Sequence, residues 1–231
     1  MDSFGDGFRA AVIGASGAIG DAFVQRLRAD PRCGSVVALH RHSQPALDFD
    51  REESIAAAAA ELAGQGPFQL VINAAGLLHG AGLMPEKKLD DLGYRQLMDT
   101  FRVNTFGPAL VLRHFSKLLD SRRAVLACLS ARVGSIGDNR LGGWYSYRAS
   151  KAALNMLVRT ASIELARSKP HAVLLALHPG TVSSRLSQPF RGAEIGRAAP
   201  DAVADMLALI NRLTPADSGG FFSYNAQRLP W

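Results

Sequence analysis

The sequence predicts an α/β protein with one doubly wound parallel sheet of about seven strands and helices on both faces. Continuous apolar runs, among them FQLVIN, AVLACL and HAVLLALH, alternate with helical segments along the whole chain, a pattern typical of buried parallel strands. A glycine-rich turn, GASGAIG, follows the first run and precedes a helical segment. No stretch has the composition of a linker, so we expect one domain, residues 1–231.

Composition limits the classes of function. No apolar run reaches the length of about 18 residues that suggests a membrane span, and the short N-terminus is acidic, so we expect a cytoplasmic protein with no membrane partner. The formal net charge is +6, but the basic residues are scattered. Attraction of an anionic small molecule is therefore favoured over binding of nucleic acid. Neither Cys33 nor Cys128 has the setting of a nucleophile or metal ligand, and no metal site is expected.

The glycine turn follows a short predicted strand, residues 9–13. It places Gly14, Gly17 and Gly20 at intervals of three before the helical segment DAFVQRLRA. Glycines here let the backbone approach a pyrophosphate, whose charge the helix N-terminus stabilises. Small residues also permit tight packing of strand against helix, but the strand, turn and helix together favour a dinucleotide site of the Rossmann type.

The next predicted strand, SVVALH, ends where a nucleotide site of this type distinguishes its cofactors. An NAD-selective site usually carries Asp or Glu about twenty residues after the last glycine. His40, Arg41 and His42 occupy that region, and a guanidinium suits a 2′-phosphate. We therefore expect NADP(H) to be preferred, with NAD(H) possible and Arg41 as the binding residue. The alternative is that Arg41 is only a solvated loop residue.

Several further segments complete the predicted pattern. ALDFD is expected to form a third strand, residues 51–62 a helix, and FQLVIN a strand that ends in a turn of small residues, NAAG. A long helix is expected over residues 94–119. It carries Asn104, which alone could be a hydrogen-bonded polar residue of the core. Residues 183–199 form a polar loop of the length typical of a substrate loop, followed by a helix and the strand GGFFSY.

Tyr147 and Lys151 lie four residues apart at the head of a predicted helix, and side chains at that spacing share one helical face. A nearby ammonium favours the phenolate and lowers the pKa of a tyrosine from about 10. The pair can therefore perform acid and base chemistry on a carbonyl or an alcohol. Taken alone, such a pair also occurs by chance on solvated helical faces.

Together these motifs resemble the short-chain dehydrogenase/reductase family over nearly the whole chain. GASGAIG, NAAG, VNTFG, YRASK and PGTVSS occur in the family's order and approximate spacing. GASGAIG, the stretch SARVGSIGDNRLGGWYSYRASKAALN and the C-terminal FFSYNAQRLPW are most similar to the branch that contains the bacterial C-factor proteins and the fly carbonyl reductase sniffer.

The resemblance implies hydride transfer between nicotinamide and a carbonyl carbon, with Tyr147 as the proton donor. It implies that Lys151 lowers the pKa of Tyr147 and holds the nicotinamide ribose, and that Asn104 anchors a water of the proton relay. The cofactor-binding residues that it implies, beside Arg41, are Gly14, Ser16, Gly17 and Ile19 for the pyrophosphate, Asp48 for the adenine, Asn73, Ala74, Ala75 and Gly76 for the adenosine ribose, and Pro179, Gly180, Val182 and Ser184 for the carboxamide.

The sequence departs from the family pattern in two places. The commoner glycine turn has its later glycines at the fourth and sixth positions after the first, whereas Gly17 and Ala18 give the spacing of this branch. The substrate-orienting serine of the family aligns with Ala131. Loss of such a donor typically costs about a hundredfold or more in rate. Either Ser130 or Ser135 compensates, with Ser130 taken as the catalytic candidate, or the protein is a weak catalyst.

Three functions follow from these observations. The first is an NADP(H)-dependent carbonyl reductase or alcohol dehydrogenase acting on a small molecule. The second is a nucleotide-binding signalling or regulatory protein with vestigial catalysis, suggested by Ala131 and the resemblance to the C-factor branch. A nucleic-acid-binding or scaffolding role is the third.

We also expect a homodimer or homotetramer. This prediction rests on the apolar residues on several faces of residues 152–166 and on the long predicted helix 94–119.

Overall fold

The sheet is built from the apolar runs of the sequence. The structure, a computed structural model, describes residues 1–80 and 82–231. Within those residues six parallel strands form one sheet in the order β2, β1, β3, β4, β5, β6. The strands are β1 (Phe8–Ile13), β2 (Cys33–Leu39), β3 (Leu70–Asn73), β4 (Ala124–Leu129), β5 (Ala172–His178) and β6 (Gly220–Ser223). Because β2 and β3 flank β1 on opposite sides, the topological switch point lies between β1 and β3, where such sheets bind ligands.

Helices cover both faces of the sheet. They are α1 (Ala18–Arg28), α2 (Glu52–Leu62), α3 (Tyr94–Phe101), α4 (Gly107–Phe115), α5 (Tyr145–Ser168), α6 (Gly192–Ile195) and α7 (Ala199–Arg212). The helices α1 and α7 pack on one face, and α2, α4 and α5 on the other. Across the described part of the chain, no helix combines the length and the apolarity that a membrane crossing requires.

The two faces of the sheet explain the continuous apolar runs. In β4, Val125 and Ala127 pack towards α1 and α7, whereas Leu126 and Cys128 pack towards α4 and α5. All four are fully buried. Since successive side chains of a strand point to opposite faces, a strand covered on both sides must be apolar at every position.

The predicted third strand, ALDFD, is absent, so the described residues hold six strands rather than about seven. This segment is held instead by loop contacts. Leu47 N donates to His40 O at 3.0 Å, Asp48 N to the Ser54 hydroxyl at 2.9 Å, and Asp50 N to Asp48 Oδ1 at 3.1 Å. Such local side-chain bonds compete with pairing into a sheet.

The predicted helix 94–119 is interrupted. Between α3 and α4 the backbone forms a π-helical turn over Arg102–Phe106, and after α4 it tightens into a 3₁₀ turn over Ser116–Leu118. Pro108 lacks the N–H that would donate to the carbonyl of Asn104 in a regular α-helix, which disfavours α-helical pairing at this point. The turn places the side chain of Asn104 in a fully buried position.

Candidate active site

A cleft of about 1040 Å³ opens at the carboxyl ends of the strands that flank the switch point. Its volume is at the upper end of the range for small-molecule sites, roughly 300–1,000 Å³. Most of the residues that the sequence predicts for the site line it: Gly14, Ser16, Gly17, Ile19, Arg41, Asp48, Ala74, Ala75, Gly76, Ser130, Tyr147, Lys151, Pro179 and Ser184. These residues are scattered over the sequence, and the fold brings them together.

Four predicted residues lie outside the lining of this cleft. Asn73 is buried and its Oδ1 accepts a hydrogen bond from Ala75 N at 3.3 Å, so its side chain shapes the turn after β3. Gly180 packs against the Tyr224 ring, and Val182 belongs to the core. Asn104, the fourth, is fully buried below the cleft.

The glycine turn has the geometry needed to hold a phosphate. Gly14 has a φ of +79°, and a Cβ there would lie 2.7 Å from Ala75 N. A Cβ on Gly20 would lie 2.2 Å from Gly14 O. Gly17 precedes α1 and supplies no side-chain cap, so the first N–H groups of α1 have no side-chain partner there. Unpaired N–H groups at a helix N-terminus favour an anion, and the turn therefore fits the pyrophosphate of a dinucleotide.

Tyr147 and Lys151 lie one turn apart on α5 and line the other end of the cleft. Lys151 is buried, and its Nζ donates to Leu129 O at 2.9 Å. The same Nζ lies 5.9 Å from the centroid of the Tyr147 ring. The spacing of the two residues in the sequence therefore does place both side chains at one point of the cleft.

Burial controls the pKa values of this pair. It raises the pKa of the Tyr147 hydroxyl to about 12 and lowers the pKa of Lys151 to about 8. The first shift is opposite to the expected effect of Lys151, because removing the phenolate from water costs more than an ammonium at this distance recovers. Tyr147 is therefore a protonated phenol at neutral pH and can donate a proton.

Asn104 holds the loop after β3 against α5. Its Oδ1 accepts from Leu77 N at 2.8 Å, and its Nδ2 donates to Leu77 O at 2.7 Å and to the Ser150 hydroxyl at 3.1 Å. Both amide hydrogens are thus engaged by the protein. The side chain behaves as a hydrogen-bonded polar residue of the core, which was the alternative left open by the sequence.

The hydroxyl groups near Ala131 are both engaged. Ser130 lines the cleft, but its Oγ donates to Asn155 Oδ1 at 2.6 Å. The Ser135 hydroxyl donates to Trp231 O at 3.3 Å and accepts from Asp138 N at 3.1 Å. Neither proton is directed to a substrate in this arrangement.

The opposite end of the cleft carries the charged groups expected around an adenosine. Arg41, Asp48 and Asp50 line it. Asp50 pairs with Arg102 at 2.7 Å, which neutralises one of the two carboxylates. The exposed guanidinium of Arg41 belongs to no ion pair among the described residues.

Sequence reasoning missed residues that support the catalytic end. Glu86 is buried, and its carboxylate accepts hydrogen bonds from the N–H and hydroxyl of Ser146 at the start of α5. His79 and Arg185 line the cleft, while Trp144 and Phe190 contact its walls. Each makes contacts with residues distant in sequence, so no local motif indicates it. The one sequence feature that could have indicated a residue of this group is the position of Trp144, three residues before Tyr147.

Comparison with known proteins agrees with this geometry. The family model for short chain dehydrogenase matches residues 9–194. The chain is 34% identical over 188 residues to 1-hydroxy-2-glutathionyl-2-methyl-3-butene dehydrogenase of Rhodococcus sp. (strain AD45), covering 81% of this chain and 80% of the relative. It is 39% identical over 171 residues to C-signal of Myxococcus xanthus, covering 72% and 94%.

Solved structures share the fold across their length. The NADPH-bound carbonyl reductase from chicken fatty liver has a TM-score of 0.84 at 26% identity, covering 98% of this chain and 100% of that one. Carbonyl reductase Sniffer of D. melanogaster has a TM-score of 0.82 at 21% identity with the same coverage, a likeness of fold alone. Since the family model spans the glycine turn, the Tyr147 and Lys151 pair and most of the sheet, the chain belongs to the short-chain dehydrogenase family.

Proposed function

We propose that this protein is an NADP(H)-dependent oxidoreductase that interconverts a carbonyl compound and the corresponding alcohol, with Tyr147 as the acid and base. One observation carries the proposal: Tyr147 and Lys151 stand at one end of a cleft whose other part is a glycine turn that fits a pyrophosphate. Family membership and the NADPH bound to the chicken carbonyl reductase support it.

The residues of the chain have distinct tasks in this proposal. Tyr147 keeps its proton at neutral pH and donates it to the substrate oxygen during reduction. Protonated Lys151 binds the nicotinamide ribose and holds Tyr147 near its substrate. NADPH, when bound, supplies the hydride. Asn104 fixes the loop after β3 through its hydrogen bonds to Leu77 and Ser150. Because both of its amide hydrogens are engaged there, the water of the proton relay that the family resemblance implies would have to bind to another polar atom of Asn104.

The preference for NADP(H) rests on Arg41. Its guanidinium is exposed at the end of the cleft where the adenosine ribose would lie, and it suits a 2′-phosphate. Asp48 would contact the adenine, the turn 73–76 the ribose, and residues 179–184 the carboxamide. Residues 183–199 are proposed to be the substrate loop.

A second function is favoured by the methyl group of Ala131. Without a hydroxyl there, and with the Ser130 proton engaged by Asn155, Tyr147 alone donates to the substrate oxygen. A regulatory protein that binds the nucleotide and turns over slowly would tolerate this arrangement. The similarity to C-signal is consistent with such a role.

Titration with NADPH and NADH, followed by a panel of carbonyl substrates, tests both functions. Tighter binding of NADPH and turnover that Tyr147→Phe abolishes without weakening NADPH binding would support the oxidoreductase. Tight binding without turnover would favour the regulatory protein. Binding of neither nucleotide would contradict both.

Assembly and location belong to the same proposal. Large apolar side chains are exposed on α3, the π-helical turn and α5, namely Tyr94, Met98, Phe106, Met156 and Ile163. Their exposure supports a homodimer or homotetramer that covers these helices. A mass by light scattering equal to the 24.7 kDa monomer would contradict it.

We place the protein in the cytoplasm, as its composition suggests.

A further inference from the structure

The charged groups that line the cleft are unevenly distributed. The three carboxylates of the lining lie on the side of the adenosine and pyrophosphate, Asp21 on α1 and both Asp48 and Asp50 in the loop after β2. From the turn after β3 to the loop after β5, the described lining holds two charged side chains, Lys151 and Arg185, and both are cations. The catalytic end of the cleft therefore attracts an anionic group.

Of these two cations, Arg185 is the one whose charge the protein leaves uncompensated. Lys151 is buried, donates to Leu129 O at 2.9 Å, and is proposed to hold the nicotinamide ribose. Arg185 is exposed, and its guanidinium belongs to no ion pair within residues 1–80 and 82–231. Arg185 is thus the cation of this end that can bind a charged ligand.

The carboxylates nearest to Arg185 along the chain are already paired with other arginines. Glu194, on the same loop, pairs with Arg191 at 2.7 Å. Asp205 on α7 pairs with Arg197 at 2.6 Å, at the end of that loop. Each pair removes a carboxylate that could otherwise neutralise Arg185.

Specific contacts hold the backbone of Arg185 beside the catalytic pair. His79 Nε2 donates to Arg185 O at 3.0 Å, which joins the loop after β3 to the loop after β5. Five residues after Arg185, the Phe190 ring lies 4.9 Å from the Trp144 ring, which lies 6.2 Å from the ring of Tyr147. The segment that carries Arg185 is therefore docked against the start of α5.

We propose that the substrate carries a carboxylate in addition to its carbonyl group, and that Arg185 binds this carboxylate while Tyr147 reaches the carbonyl oxygen. A guanidinium and a carboxylate form two parallel hydrogen bonds, which fix the orientation of the bound molecule. This inference rests on the function proposed above. Reduction then converts an oxo acid into the corresponding hydroxy acid, with the hydride on the carbonyl carbon and the proton of Tyr147 on the new hydroxyl.

Substrates that differ only in charge test the proposal. 4-Formylbenzoate and 4-formylbenzamide have nearly the same size, and the 3-formyl isomers place the same groups at a second distance from the carbonyl. We expect kcat/KM to be about tenfold higher for the carboxylate of at least one isomer than for its amide, the lower end of what a charged hydrogen bond provides. Arg185→Gln should remove this advantage through KM and change the amide less than about twofold. Arg185→Lys, which keeps the charge without the two parallel bonds, should retain part of it.

A matched control separates contact from overall charge. Arg167→Gln removes the same charge in the last turn of α5, about 30 Å along the helix from Tyr147, and should change neither substrate by more than about twofold. Arg185→Gln should also leave the Kd of NADPH within about twofold. Equal losses for acid and amide together with weaker NADPH binding would assign Arg185 to the pyrophosphate and overturn the inference.

A binding measurement does not depend on turnover. Terephthalamate and terephthalamide carry an amide in place of the aldehyde and are not reduced, so their Kd values for the NADPH complex can be read from nucleotide fluorescence. We expect terephthalamate to bind about tenfold more tightly, and Arg185→Gln to remove the difference. Equal binding of the two, or binding of neither, would overturn the inference and leave the oxidoreductase intact. Preference for terephthalamate without reduction of any of the aldehydes would support the carboxylate site and contradict the proposed reaction.

Discussion

Replacing Lys151 with methionine separates the stability of the fold from its activity. Burial lowers the pKa of Lys151 from 10.5 to about 8, so the folded protein holds an ammonium in a site that disfavours its charge. That difference corresponds to about 3 kcal/mol at pH 7. Methionine removes this penalty but also the hydrogen bond to Leu129 O, which is worth about 1.5–3 kcal/mol because its donor is charged. We expect Lys151→Met to be inactive and yet up to about 2 kcal/mol more stable at pH 7.

The pH dependence identifies the cause of that gain. Between pH 8 and 10.5 the unfolded chain binds more protons at this lysine than the folded protein does, so the stability of the native sequence rises with pH in this range. The variant has no such group, and its advantage should shrink by about 2–3 kcal/mol from pH 7 to pH 10. The raised pKa of Tyr147 acts in the opposite direction, from pH 10 to about 12, and equally in both proteins.

Urea unfolding at pH 7 and pH 10 measures both quantities. Lys117→Met is the control, because Lys117 is exposed on the 3₁₀ turn after α4 and its replacement should change stability little at either pH. If Lys151→Met were less stable than the native sequence at pH 7, or if its advantage were the same at both pH values, the lysine would carry no burial penalty and the reasoning would be wrong.

Three further predictions concern other parts of the site. Glu86→Ala leaves the buried N–H and hydroxyl of Ser146 unpaired and should lower the free energy of unfolding in urea by about 2–4 kcal/mol. The control Glu53→Ala, at the exposed first turn of α2, should lower it by less than about 1 kcal/mol. Equal losses in the two variants would contradict a capping role for Glu86. Ala131→Ser adds the missing donor and should raise kcat with NADPH roughly tenfold to a hundredfold, and an unchanged kcat would show that another group already serves. Arg41→Ala should raise the Kd of NADPH about tenfold in fluorescence titration and leave that of NADH within about twofold, and equal losses for both nucleotides would exclude contact with the 2′-phosphate.

Much of the fold could be predicted from the sequence, because burial on both faces of the sheet leaves a direct signature in the apolar runs. The sequence pattern gave wrong predictions in two segments where side chains determine the backbone conformation. In ALDFD, the Ser54 hydroxyl and the Asp48 carboxylate bind backbone N–H groups and hold a loop where a strand was expected. In the helix 94–119, Pro108 favours the π-helical turn that places Asn104.

The candidate site divides in the same way. The glycine turn and the pair of Tyr147 and Lys151 depend on local spacing, and the structure brings them into one cleft as expected. The residues that hold this part of the cleft in place come from distant parts of the sequence. Glu86 reaches Ser146 across 60 positions, and Phe190 reaches Trp144 through the fold of a loop, so neither leaves a pattern in the sequence. The direction of the Tyr147 pKa shift likewise depends on burial, which spacing alone does not reveal.

The most direct measurement of the proposed reaction uses NADPH in which deuterium replaces both hydrogens on C4 of the nicotinamide ring, and follows the transfer of deuterium to the substrate. The protein, the labelled NADPH and benzaldehyde are incubated, and the benzyl alcohol formed is examined by mass spectrometry. The proposal predicts one deuterium on the carbinol carbon, and no product when Tyr147→Phe replaces the native protein. Binding of NADPH without labelled alcohol from this substrate or any other carbonyl of the panel would contradict the assignment of an oxidoreductase.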